Sequence, residues 1–167
     1  GEQVYEGVQA MLPREPLMLK TSRIYRDARR LFGRGPYKDH LWFCVRAGGE
    51  DWTGRPTFYF EIGPDYYSYG MGFWAPKAAL MEAYRKAVDE HPEVLEKLVK
   101  RFNKQAQFTL SGPEYARKKT APSPLLAAWY NKKSINLQHD AAPDERMFSP
   151  ELAQDIIEGF RTLMPLY

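Results

Sequence analysis

Between His40 and Trp74 apolar residues recur at every second position, and after Pro76 they recur at every third or fourth. A period of two is a strand whose side chains alternate between faces, and a period near 3.6 is a helix, so this chain has to combine a sheet with helices that follow it. Leu41, Phe43 and Val45 oppose Trp42, Cys44 and Arg46, while Phe58, Phe60 and Ile62 oppose Tyr59 and Glu61. Over 66–74, Tyr67, Tyr69, Met71 and Phe73 share one face and Gly70 and Gly72 the other. The two missing side chains open either a shallow ligand groove or a site of close backbone packing. Residues 22–28 also alternate, with Arg23, Tyr25 and Asp27 opposite Ile24, Arg26 and Ala28, and residues 108–110 make one more short strand. Turn sequences at 33–36, 48–49 and 63–65 give connections short enough for antiparallel neighbours.

The helical text begins with Leu80, Tyr84 and Val88, breaks at His91-Pro92, and resumes with Leu95, Leu98, Val99 and Phe102. Glu93 lies in the first turn of that second helix and Lys100 and Arg101 in its last, as the helix dipole favours. Ser149-Pro150-Glu151 starts a last helix, with Ser149 placed to cap it and Leu152, Ile156, Phe160 and Leu163 as its buried stripe. The expectation is an α+β fold: an antiparallel meander of about four to five strands packed against helices near 77–90, 92–103 and 150–164. With 167 residues and no repeat or low-complexity linker, residues 1–167 are expected to form a single domain.

No run approaches the roughly 20 apolar residues of a membrane span, and no secretory signal opens the chain. The single cysteine, Cys44, permits neither an intramolecular disulfide nor a thiolate metal cage, which points to a reducing, cytoplasmic location. The three histidines are isolated, no glycine-rich phosphate loop or nucleophile elbow is present, and no metal or cofactor is expected.

The formal charge of +3 conceals a segregation: residues 14–46 carry nine positive and three negative charges, and residues 101–140 carry seven and two. These segments either fold into one anion-attracting patch or remain scattered solvated side chains. In the first, Arg23, Arg26, Tyr37, Lys38 and His40 form an oxyanion clamp, unless Arg26 is instead paired inside the sheet with Glu61 or Asp27. His40 is the candidate acid or base, beside Asp39, although neighbours on a strand point to opposite faces. In the second, Arg117, Lys118, Lys119, Lys132 and Lys133 alternate with Tyr115, Trp129 and Tyr130, a composition suited to phosphates and stacked rings.

The string Ser22-Arg23-Ile24-Tyr25-Arg26-Asp27, followed by Pro36-Tyr37-Lys38 and His40 and then by Gly70-Met71-Gly72-Phe73-Trp74, resembles the uncharacterised bacterial family called domain of unknown function 2461. The resemblance runs from about Tyr5 through Arg117–Lys119, Lys132-Lys133-Ser134 and the last helix, and it implies a single-domain α+β fold without a reaction. Members of that family generally begin with a further helical segment, which is expected to be missing from this sequence. The first functional expectation is a small anionic or phosphorylated ligand held by Arg23, Arg26, Tyr37, Lys38 and His40 on one side and Arg117, Lys119 and Lys132 on the other. The alternatives are phosphoryl or acyl chemistry at His40 with Arg23 or Arg26, nucleic-acid contact through Lys118, Lys119, Trp129 and Lys132, and a protein interface on the tyrosine-rich strand 66–69.

Overall fold

The structure, a computed structural model, describes every residue except Ala28, Arg30 and Arg34. One antiparallel sheet contains β1 (Leu17–Thr21), β2 (Leu41–Ala47), β3 (Thr57–Ile62), β4 (Tyr67–Gly72), β5 (Thr109–Ser111) and β6 (Asn136–Ala141). The helices are α1 (Glu2–Met11), α2 (Ala78–Glu90), α3 (Pro92–Phe102), α4 (Ala127–Tyr130) and α5 (Glu151–Leu163). The class is α+β, and the sheet has six strands in the order β1-β2-β3-β4-β6-β5. The first four form a meander, but β6 inserts between β4 and β5 and breaks sequential order.

Alternation fixes which face is buried. Leu17, Val45, Phe58, Phe60, Tyr67, Tyr69, Met71 and Leu137 point inward against Val4 and Val8 of α1 and Ile156, Ile157 and Phe160 of α5. The opposite face carries Lys20, Trp42, Cys44, Arg46, Tyr59, Glu61 and Gln138, all half-buried or exposed. Gly70 and Gly72 lie on that second face, and they make no groove. A Cβ at Gly70 would come 2.0 Å from the Leu137 carbonyl oxygen and one at Gly72 1.8 Å from Asn136 Oδ1, so the two glycines let β6 approach.

Three local expectations need correction. Residues 22–27 are not a strand: β1 lies upstream at Leu17–Thr21, and among the described residues of this stretch Tyr25 alone makes an isolated bridge, to Tyr37. Leu17 and Leu19 supply the apolar face that Arg23, Tyr25 and Asp27 lack; Ala28 lies outside the described residues. Ser149 does not cap α5, because its hydroxyl donates to the Arg146 carbonyl at 3.0 Å. The tyrosine-rich strand 66–69 is not an exposed aromatic face: Tyr67 and Tyr69 are buried in the core, and Tyr66 is exposed at 36%. No helix among the described residues is long and apolar enough to cross a membrane.

Candidate functional site

The β1–β2 loop is locked by a short ladder of its own. Arg26 N donates to the Pro36 carbonyl at 2.7 Å and Lys38 N to the Ile24 carbonyl at 2.9 Å. Tyr25 and Tyr37 thus become a non-hydrogen-bonded antiparallel pair, the arrangement that brings side chains closest. Their rings lie 5.4 Å apart at 32°, and they are 58% and 60% exposed. The Arg26 guanidinium turns back into the loop, with Nε donating to the Tyr37 carbonyl at 2.7 Å and Nη2 pairing with Asp39 at 3.0 Å. Arg26 therefore holds the ladder through Asp39, and neither Glu61 nor Asp27 is its partner. Arg23 is exposed and Lys38 half-buried, so both remain on the outside of this ridge.

Asp39 and His40 do meet, because the chain is irregular there and does not alternate as a strand. His40 Nδ1 lies 2.8 Å from Asp39 Oδ1; since a carboxylate only accepts, Nδ1 carries a proton, and in the neutral ring Nε2 is the acceptor. The hydrogen bond from His40, followed by that from Arg26, lowers the Asp39 carboxyl to about 2. No hydroxyl or thiol bonds to the His40 ring among the described residues, and burial pushes the Cys44 thiol up, away from the reactive thiolate.

The second basic segment buries one of its cations. Lys132 is buried, with Nζ donating to the Gly112 carbonyl at 3.0 Å and pairing with Glu114 at 3.2 Å. Trp129 is 5% exposed and packs edge-on against Phe102. Arg117 and Lys119 remain exposed, Lys119 exchanging backbone hydrogen bonds with the Asn131 side chain. The two segments also diverge in space. The β1–β2 loop leaves the sheet at the end where Leu41, Ile62, Tyr67 and Ala141 align, whereas residues 112–135 leave from the other end and the other edge, beyond Ser111 and Asn136. The expected clamp between Arg23, Arg26, Tyr37, Lys38 and His40 on one side and Arg117, Lys119 and Lys132 on the other does not assemble.

A concave cluster that the sequence reading missed lies under α5, a cavity of about 360 Å³ lined by Tyr67, Tyr69, Gln107, His139, Arg146 and Asp155 among others. His139 Nδ1 is 2.9 Å from the Gln107 carbonyl, and Gln107 Nε2 donates to the Tyr69 hydroxyl at 2.8 Å. Gly159 makes the approach of α5 possible, since a Cβ there would come 2.9 Å from Phe108 and 3.0 Å from Tyr69. These residues come from four separate stretches of chain, so no local spacing announces them. A second overlooked group is Arg85, which is buried on α2 with its guanidinium 4.6 Å over the Tyr115 ring and Nη1 without a hydrogen-bond partner among the described residues.

The model of one protein family, described as conserved hypothetical protein (DUF2461), matches residues 2–167. The chain belongs to this family. A search of curated proteins finds no match. In this DUF2461 member the Arg-Ile-Tyr-Arg-Asp and Pro-Tyr-Lys strings are the two sides of one ladder, and their second arginine joins them.

Proposed function

We propose that this protein binds single-stranded nucleic acid on the ridge formed by its β1–β2 loop. The observation that carries this reading is the Tyr25–Tyr37 pair, two neighbouring rings more than half exposed on a ladder made rigid by Arg26. Every base has a face that stacks on an aromatic ring, and cations beside the ring offset backbone phosphates. Residues 22–40 carry six positive and two negative charges, and Arg23 and Lys38 flank the rings. A ridge suits a chain-like polyanion better than a small phosphorylated ligand, which needs walls around it. Arg26 is a positioning residue in this scheme, and Arg117, Lys119 and Lys132 take no part. The reading goes with the reducing, cytoplasmic location expected from a single cysteine.

The test is fluorescence anisotropy with a labelled single-stranded oligothymidylate at increasing salt. Affinity should fall steeply with salt, and Tyr25→Ala with Tyr37→Ala should weaken it by about tenfold or more. Lys38→Gln should lower the slope of log affinity against log salt by about 0.7. No binding at low salt, or binding indifferent to both tyrosines, rejects the reading; displacement by low concentrations of inorganic phosphate restores the small-ligand alternative.

A further inference from the structure

The cavity under α5 is independent of the basic ridge and carries a different chemistry. The Gln107 carbonyl can only accept, so the 2.9 Å contact fixes a proton on His139 Nδ1, and in the neutral ring Nε2 is the acceptor. Gln107 also donates from its side chain to Tyr69, whose own hydroxyl proton is thereby left to point elsewhere. Burial pushes the Tyr69 phenol up, so it stays protonated and remains a donor. The Tyr67 hydroxyl lines the same cavity and has no hydrogen-bond partner among the described residues. One wall thus presents an imidazole acceptor beside two phenol donors.

The facing wall comes from α5 and the turn before it. Asp155 is bound by Arg146 at 2.7 Å, and Glu158, one turn further along α5, pairs with Arg161 at 3.4 Å. The lining arginine is committed to a carboxylate, and a second carboxylate stands beside it. An anionic ligand would meet repulsion here without a free cation to offset it. The rings of Tyr67 and Tyr69 are already packed among aromatic neighbours, stacked at Phe60 and on each other, tilted at His139 and edge-on at Phe108 and Phe160, so they do not form an open aromatic cage for a cation either. What remains is a set of closely spaced donors and acceptors, in a volume at the lower end for small-molecule sites.

We infer that this cavity binds a small neutral polyol, a ligand with adjacent hydroxyl groups such as a monosaccharide or cyclitol. Each ligand hydroxyl both donates and accepts, which matches His139 Nε2 and the carboxylates on one hand and the Tyr67 and Tyr69 hydroxyls on the other. Gln107 positions the imidazole and one phenol at once.

The experiment is a titration of the whole protein with glucose and with myo-inositol, followed by calorimetry and by the ring ¹⁵N signals of His139, with glucose 6-phosphate as the charged control. Saturable binding in the millimolar range, a shift confined to His139 Nε2, and at least about tenfold weaker binding of the phosphate ester are expected. Tyr67→Phe removes a hydroxyl with no protein partner, so it should leave thermal stability unchanged and weaken polyol binding about three- to tenfold. Absence of saturable binding by either polyol, binding without a His139 shift, or glucose 6-phosphate binding as tightly as glucose overturns the inference.

Discussion

Residues 22–40 and 112–133 are alike in composition, both basic and both rich in tyrosine or tryptophan, yet the fold uses them in opposite ways. The first leaves Tyr25 and Tyr37 in solvent and turns Arg26 inward. The second buries Trp129, Tyr130 and Lys132 and leaves Arg117, Lys118 and Lys119 outside. Interleaved cations and aromatics describe a nucleic-acid surface only where the aromatics are exposed. Elsewhere the same letters describe a core whose lysine is satisfied by a carbonyl and a carboxylate.

The widest gap should appear on removing the rings. Trp129→Ala is expected to cost about 3–5 kcal/mol in urea unfolding, whereas Tyr25→Ala or Tyr37→Ala should cost less than about 1 kcal/mol. Equal losses at the two places would erase the distinction. Next in size, Lys132→Met leaves the Gly112 carbonyl without its donor and separates Glu114 from a buried partner, for a loss of about 2–3 kcal/mol. A neutral result would mean that this ammonium is held by solvent as much as by the protein. Arg26→Lys keeps the charge but has one nitrogen where the guanidinium makes two contacts; it should cost about 1 kcal/mol and speed amide exchange at Lys38. Unchanged exchange there would show that the ladder stands without Arg26.

The smallest effect is in acid. The folded Asp39 carboxyl titrates at about 2, below its usual 3.8, chiefly through the His40 hydrogen bond. A lowered folded value means that its contribution is complete above the unfolded value and disappears as pH falls towards 2. Carbon-detected NMR of the Asp39 carboxyl should show a midpoint near 2 that rises towards 3.8 in His40→Ala. An unmoved midpoint would assign the effect to Arg26 alone.

Strands with several large apolar residues at alternate positions were legible: β2 and β3 stand within about one residue of where alternation puts them, as do α2, α3 and α5, while β4 begins one residue later and ends two residues earlier than 66–74. β6 was not, because its inner face is Leu137, His139 and Ala141, and a single large apolar residue makes no pattern. α2 shows a subtler limit. Its stripe was expected at Leu80, Tyr84 and Val88, but Met81 and Arg85 are the more deeply buried neighbours, and a charged residue hides the turn of the face. For the loop, sequence located the motif without its geometry. Arg26 meets Asp39, thirteen positions on, only because the chain folds back at Tyr25 and Tyr37. The His139 cavity had no signal at all, being assembled from β4, Gln107, β6 and α5.

The insertion of β6 has a consequence for how the chain reaches this state. Tyr69 and His139 are partners across seventy positions of sequence, so β4 keeps an open edge until β6 has left the ribosome. Pairing over such a distance is slow, because a long loop must close before any contact rewards it. Until then Tyr67, Tyr69 and Met71 lack both their neighbouring strand and the α5 side chains that cover them. The nascent protein is therefore prone to aggregation until β6 and α5 have emerged, and a chaperone that shields this edge would act between translation of β4 and translation of α5.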